Sequence, residues 1–506
     1  MKRFFKANWT YILAGVGIIL LYFIRIYHLT LLPVFADEAI YVRWSQVMAN
    51  EPTLRFLPQS DGKEPLYMWV LMFVIKRFSD PLFIGRMVSV ISGFGTLIGV
   101  WVLVYILFKN KLAATLGSLM YALSPITFFF DRMALVDSML TMFGVWSFIF
   151  AYLTAKTKRL DLAMITGFSL GFAWLTKSTA TVFMALLITF FIFVNNRKDF
   201  VKLLTLYVVS SVIAFAMFNI LRLGPNFNLI ASRNQDYVYP LNHIFVSPFD
   251  PLKGHMGGII NYFYLMGPVG LVVMWLLGYF LNYKKHWRDL LVLSAWAVGP
   301  IFLTAEYFKV VTARYIVYTI PFFIIIASTV FLANKSFVKI SLLILILFLG
   351  QAIFFDYQLI TNVNAAPLPN GERSGYLLEW TAGQGIKEIS DILKTEHAKA
   401  PQTKIVVGTE GYFGTLPDGL QMYMQGTDNV IVIGVGLGFD RIPDPLAASL
   451  AAGNKTYLVV NKSRLFIKDN PNLKLLATFK KPVRRPESTE YAAFGPQDAL
   501  MLFEVK

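Results

Sequence analysis

The sequence predicts a polytopic α-helical membrane protein of about eleven transmembrane helices with a small extracytoplasmic α/β domain at its C-terminal end. Three observations lead there: 56% of the 506 residues are apolar against 15% charged, the mean hydropathy is +0.57, and a series of long apolar windows stops near residue 355. A soluble globular protein carries roughly 25% charged residues, so soluble enzymes, disordered tails and coiled coils are excluded. The chain has no cysteine, which rules out disulfides, thiolate metal sites and cysteine nucleophiles.

About 20 apolar residues cross a hydrocarbon core of roughly 30 Å as a helix. The windows run from Trp9 to Tyr27, Leu82 to Phe108, Leu112 to Phe130, Met133 to Thr154, Leu160 to Thr176, Thr179 to Val194, Phe200 to Leu223, Gly258 to Leu281, Leu290 to Ala305, Ala313 to Ala333 and Val338 to Phe355. The fifth and sixth are short and also read as a re-entrant hairpin. The N-terminal Met1, Lys2, Arg3 and Lys6 resemble a signal peptide, but Arg25 and the bulky residues around it offer no cleavage site, so a retained first span is expected.

Charge sets the orientation. From Asp356 onward the chain holds 16 basic and 16 acidic residues, so the net excess of +16 lies in the first 355 residues, with 30 basic against 14 acidic. Alternate loops carry Lys109/Lys111, Lys156/Lys158/Arg159, Arg197/Lys198/Lys202, Lys284/Lys285/Arg288 and Lys335/Lys339, and basic loops stay cytoplasmic. This places the N-terminus in the cytoplasm and the C-terminal segment outside a plasma (inner) membrane. The basic charge thus belongs to the membrane part, and no basic stripe on a soluble face argues for a nucleic-acid partner.

Residues 1–355 form the expected membrane domain and 356–506 the extracytoplasmic one. Two outward loops, at about 28–81 and 224–257, are too long for simple turns. In the first, the stretch from Asp37 to Asn50 lacks Gly and Pro and reads as a helix lying along the interface. In the C-terminal part, β-branched runs (Lys404 to Gly408, Val430 to Val435, Tyr457 to Val460, Met501 to Val505) alternate with helical patterns (Ile386 to His397, Pro443 to Ala452), as a partly parallel sheet requires. Its IGVGLG run, with Gly434, Gly436 and Gly438, is a weak match to a phosphate loop.

Charged side chains at membrane depth are costly and mark functional sites. Here they collect at the outward ends of helices: Asp37 and Glu38, Lys63 and Glu64, Asp131 and Arg132 with Asp137, then Lys177, Arg222, Glu306, Lys309 and Arg314. Carboxylates mixed with cations at one interface suit chemistry on a phosphorylated lipid and a hydroxyl. Lys and Arg hold the phosphate and stabilise its developing charge, while a carboxylate takes the proton of an acceptor hydroxyl. Asp37 or Glu38 is the candidate base, and Lys63, Arg132, Lys177 and Arg314 are the candidate phosphate ligands.

These residues also resemble a family. The Asp37-Glu38 pair after the first span, the Gly62-Lys63-Glu64-Pro65 element, Asp131-Arg132 at the end of the third span, the Leu175-Thr176-Lys177 turn and Ala313-Arg314-Tyr315 together resemble the GT-C glycosyltransferases. Within them the protein O-mannosyltransferase and lipid A aminoarabinose transferase branch is the nearest in appearance, over roughly residues 1–355. The resemblance implies a polyprenyl-phosphate-sugar donor, inverting transfer on the outer face, an Asp37 general base, and a Lys177 that meets the donor phosphate. The acceptor is a glycan, lipid or protein. Glu64 stands where the family often has proline, which leaves its part in acceptor or metal positioning open.

Structural readings stand beside the functional ones. Asp37 and Glu38 also read as caps of their own helix, Asp131 and Arg132 as an internal ion pair, Asp137 as a partner of Arg86 or Arg132, and Lys177 as a snorkelling side chain. Glu64, His243 and His255 are candidates for a divalent metal site. The alternative function is a secondary transporter or flippase of lipid-linked sugars, for which paired repeats and midplane charges would be expected. The sequence shows neither.

Overall fold

The computed structural model describes residues 2–332, 335–467 and 471–506; Ala333, where the tenth window ends, lies outside them. The chain divides into two compact units. The first comprises Met1–Leu29, Leu54–Trp69 and Arg86–Pro369, and the second Thr30–Thr53, Val70–Gly85 and Asn370–Lys506.

The first unit is a bundle of apolar helices. Among the described residues, seven are long and apolar enough to cross a membrane, and the bent pair Lys111–Ala122 and Pro125–Asp131 makes eight. The 58° bend of that pair falls at Pro125, whose ring cannot continue a helix. Two shorter apolar helices, Leu160–Thr176 and Ser178–Phe193, follow the fifth and sixth windows. The helix Val269–Tyr307 has 39 residues with a non-helical break at His286, so at ~1.5 Å per residue it is roughly twice as long as one span. With Lys284, Lys285 and Arg288 around the break, it reads as two spans meeting at a polar corner. The eighth window is interrupted: helix Leu252–Leu265 ends before Gly267-Pro268 and the next begins at Val269, because proline has no N–H to carry the ladder on.

Small residues let these helices touch, as expected where lipid removes the hydrophobic drive between them. A Cβ on Gly167 would lie 2.7 Å from the Ser210 carbonyl oxygen, so Leu160–Thr176 and Arg197–Phe218 pack backbone to backbone. Ser210 Oγ donates to the Ala163 carbonyl at 2.7 Å, and Tyr207 donates to that of Ala151 at 2.9 Å. Asn282 crosses in the same way to the Thr329 carbonyl at 2.9 Å.

The second unit is built on a five-stranded sheet of order β2-β1-β3-β5-β4, with β1 Ile405–Glu410, β2 Val430–Gly436, β3 Lys455–Asn461, β4 Leu473–Lys480 and β5 Ala499–Val505. β1 pairs in parallel with β2 and β3, and β5 pairs antiparallel with β3 and β4. β1 is buried along its whole length, as a parallel strand covered on both faces should be. One face packs Val406, Leu446, Leu458, Val460 and Phe503. The sequence reading lacked β4, a strand whose pattern of half-buried and exposed residues gives only a weak apolar alternation.

The helix Ala36–Asn50 belongs to this unit. It buries Ala39, Ile40, Val42, Trp44 and Met48, and Gln46 Nε2 donates to the Met422 carbonyl at 2.9 Å, which docks it on helix Asp418–Met424. The preceding chain is held by hydrogen bonds from Ala36 N to the Thr381 carbonyl (3.0 Å) and from Gly383 N to that of Val34 (2.8 Å).

The glycine run of β2 serves packing. A Cβ on Gly434 would collide with the Gly411 carbonyl oxygen and approach the Tyr412 Cα to 2.8 Å, and one on Gly436 would meet the Phe439 ring at 2.8 Å. The next helix starts only at Asp444, so no helix N-terminus follows the run as a phosphate loop requires. Gly434→Ala should therefore destabilise the C-terminal unit by about 1–3 kcal/mol, the usual range for overpacking. Limited proteolysis and thermal melts check this, and a wild-type melt would refute the close approach.

Candidate functional site

In the first unit the Gly-Lys-Glu-Pro element is fixed before its side chains act. Leu57–Asp61 forms a 3-10 turn closed by Gly62 in the left-handed region, φ +63°. A Cβ there would lie in the space of Arg233 and the Leu229 carbonyl, so only glycine serves both the turn and the helix Phe227–Tyr237 beside it. Gln59 Nε2 donates to the Leu221 carbonyl at 2.6 Å. Lys63 pairs with Asp61 at 3.2 Å, and Asp61 pairs with Arg233 at 3.3 Å.

Glu64 is 6% exposed and accepts a short hydrogen bond from Ser178 Oγ. Asn234 Nδ2 in turn donates to Ser178 Oγ at 3.1 Å. Ser178 opens the turn after helix Leu160–Thr176, so three segments far apart in sequence meet at one hydroxyl. Neither Ser178 nor Asn234 is distinguishable in the sequence from an ordinary turn or helix residue. The only signal near them is Lys177.

Lys177 follows that helix in extended conformation. Its Nζ lies 2.7 Å from Asp137 Oδ1 and 4.7 Å from the centre of the Tyr315 ring. Asp137 begins helix Asp137–Thr157 and is 2% exposed; its partner is Lys177 rather than Arg86 or Arg132. The Arg314 guanidinium lies 5.3 Å from the same Tyr315 ring. Lys177, Arg314, Asp137 and Glu64 are thus brought together around Tyr315 and Ser178. Two cations on one ring with two carboxylates beside them form a polar cluster able to hold an anion next to groups that accept protons.

Asp131 and Arg132 do not pair with each other in the same way. Arg25 is completely buried, with Nε 3.5 Å from Asp131 Oδ2, Nη2 3.3 Å from Thr127 Oγ1 and the guanidinium 4.2 Å from the Tyr22 ring centre. Tyr22 and Tyr121 both donate to Asp131 Oδ2 at 3.3 Å. Arg132 donates to the carbonyls of Arg25 (2.5 Å), Tyr27 and His28 (2.9 Å each) and is 4% exposed. Arg86 donates to the Leu29 carbonyl at 2.8 Å. Three arginines thus fix the exit turn of the first span.

The metal candidates lie apart. His243 Nε2 faces the Asp250 carbonyl at 2.6 Å, His255 Nδ1 faces that of Ala305 at 3.0 Å, and Glu64 holds Ser178. Among the described residues no group of three or more His, Asp or Glu side chains is placed to hold a metal ion, so no step is derived through one.

In the second unit, Asp37 is half-buried in the first turn of its helix. Glu38 is fully buried and its Oε2 accepts from the Phe35 backbone N–H at 3.0 Å, the capping role expected of an acid at that position. The two neighbours are therefore differentiated, Glu38 buried and capping its own helix, Asp37 half-buried.

A bundle of apolar helices and a small mixed sheet, with cations and carboxylates gathered at helix ends, has likenesses among known proteins in part of its sequence and in its fold. Residues 62–221 match the family model described as dolichyl-phosphate-mannose-protein mannosyltransferase. That segment contains Lys63, Glu64, Asp131, Arg132, Asp137 and Lys177 but neither Asp37 nor Arg314. The crystal structure of ArnT from Cupriavidus metallidurans bound to undecaprenyl phosphate matches with a TM-score of 0.60 at 14% identity, over 98% of this chain and 98% of that one. The same protein in its apo state matches at 0.59 and 14%, over 99% and 98%. This likeness establishes the fold. No curated protein sequence matches the chain.

Burial pushes the Glu64 carboxyl up to about 7, against the lowering effects of Ser178 and Lys177. Between an ordinary value of 4.5 and about 7 the folded state keeps a proton that an unfolded glutamate has released, so this group's contribution to stability falls as pH rises through that window and then levels off. Glu64→Gln removes the effect. Its unfolding free energy should gain on that of the wild type from pH 5 to pH 8, by an amount bounded at about 3 kcal/mol, as read by denaturant or thermal unfolding at each pH; a pH-independent difference would contradict the buried carboxyl.

Proposed function

We propose that this chain is an integral membrane glycosyltransferase that moves a sugar from a polyprenyl-phosphate carrier to an acceptor hydroxyl with inversion. The convergence of Lys177 and Arg314 on Tyr315, beside Asp137 and Glu64, carries the reading. The family model over residues 62–221 and the common fold with an undecaprenyl-phosphate-bound ArnT support it. The acceptor oxygen attacks the anomeric carbon as the bond to the phosphate oxygen breaks, and the charge left on polyprenyl phosphate is stabilised by cations. Lys177 and Arg314 take that part, with Lys63 as a further phosphate-side group; Arg132, also a candidate in the sequence, is committed to the carbonyls of Arg25, Tyr27 and His28.

Asp37 accepts the proton of the attacking hydroxyl, and Glu38 fixes the turn that carries it. Glu64, Asp131 and Asp137 position the acceptor side and the cations. The reaction runs on the extracytoplasmic face of the inner membrane, with the N-terminus in the cytoplasm, as the basic loops require. The membrane domain corresponds to the first unit and the extracytoplasmic domain to the second, so the expected boundary at 355/356 gives way to one in which 30–53 and 70–85 go with 370–506. The acceptor is a glycan, lipid or protein.

The test uses purified protein in nanodiscs, a panel of polyprenyl-phosphate sugars, and release of polyprenyl phosphate as the readout. Asp37→Asn keeps the shape and removes the base, and turnover should fall about 10²- to 10⁴-fold; near wild-type turnover refutes that role. Lys177→Met should lose a comparable factor through the leaving phosphate. Translocation of an intact lipid-linked sugar, with no phosphate released by the wild type, would make the chain a transporter instead.

A further inference from the structure

The C-terminal unit carries a second concentration of chemistry. Chain order β2-β1-β3 means that the crossover from β1 to β2 runs one way and that from β2 back past β1 to β3 runs the other. Right-handed crossovers in opposite directions leave the sheet on opposite faces, which makes the carboxyl ends of β1 and β3 a topological switch point, the usual position of a binding crevice in such sheets.

Glu410 ends β1 in this crevice. It is 2% exposed, accepts from Asn461 N at 2.7 Å and from Asn461 Nδ2 at 2.6 Å, and pairs with Arg464 at 3.7 Å. The Arg464 guanidinium lies 4.5 Å from the Trp380 ring centre, and a Cβ on Gly414 would lie 3.8 Å from the same ring. Around this ion pair the chain leaves flat aromatic groups in the open: Trp380 is 40% exposed, Tyr412 68% and Phe413 42%. Asn461 Oδ1, at the end of β3, and Thr415 Oγ1, in the loop after β1, are buried polar atoms without hydrogen-bond partners.

We propose that this crevice is a saccharide-binding site. A pyranose presents an apolar C–H face and a rim of hydroxyls that both donate and accept. Exposed rings suit the first, and a mutually neutralised Glu410–Arg464 pair with Asn461 suits the second. An anion would meet the Glu410 carboxylate and a cation the Arg464 guanidinium, so the charge pattern selects a neutral polyhydroxyl ligand. Gly434 and Gly436 are consumed in packing, which removes the phosphate reading of the same loops. Identifying the bound saccharide with the acceptor rests on the transfer reaction proposed above; the site itself does not.

Saturation-transfer NMR on the full chain in nanodiscs, without donor lipid, tests the site with glucose, galactose, mannose, N-acetylglucosamine and their β-linked disaccharides. At least one should bind saturably, weakened about tenfold or more by Trp380→Ala and by Tyr412→Ala and retained in Trp380→Phe. Absence of saturable binding to the whole panel, or binding indifferent to both alanine variants, overturns the proposal. So does a component of the fluorescence quenched by brominated lipid that disappears in Trp380→Phe while the quenching of the other tryptophans persists, since that ring would then face the bilayer. Polyprenyl-phosphate release measured on the same samples separates the outcomes: saccharide binding without release keeps the site and removes its acceptor role.

Discussion

A charge held among apolar helices has to be matched nearby, because isolated burial costs far more than a fold can spare. That constraint shapes the first unit. Arg25 enters the bundle completely buried and is met by Asp131, Thr127 and the faces of Tyr22 and Phe128, while Arg132 and Arg86 satisfy the carbonyls of the turn from Arg25 to Leu29. The irregular turn that ends the first helix exists because guanidinium forks occupy the acceptors that a helix would have used. Its position fixes where the following chain departs.

The same logic produces the cluster around Tyr315. Asp137 stands at the start of a helix, where an acid is favoured by the helix dipole, and Lys177 stands at the end of another, reaching 2.7 Å to it. The pair locks two helix ends, and the ring of Tyr315 receives Lys177 and Arg314. Glu64 joins through Ser178, so the element after the first loop and the turn after the fifth window become one network. A group of this kind is rigid where it needs to be, since Glu64, Asp137 and Lys177 are each positioned by a neighbour from another segment.

Much of this was legible in the sequence, for reasons that can be named. Apolar windows located the helices because hydrocarbon thickness sets their length, and the β-branched runs located four of the five strands. Lys177, Arg314, Asp137 and Glu64 stood out because charges are rare at such depth. What escaped depended on partners. Asp137 offered no local hint of choosing Lys177 over two arginines. Ser178, Asn234 and Tyr315 are ordinary residues whose importance comes from a contact between distant segments. β4 escaped because its half-exposed pattern lacks a buried face, and the IGVGLG run gave only a weak signal because close chain approach and phosphate binding both call for glycine.

The interleaved path of the chain has a consequence for its history and handling. The sheet-bearing unit draws on 30–53 and 70–85 as well as 370–506, and the helix Ala36–Asn50 docks on Asp418–Met424 through Gln46. Such a unit is not a removable cassette: recombination that grafts the tail alone onto another bundle leaves an uncovered helix face behind. Diversification of this architecture must proceed by drift within both insertions and tail together, not by swapping modules at a single joint.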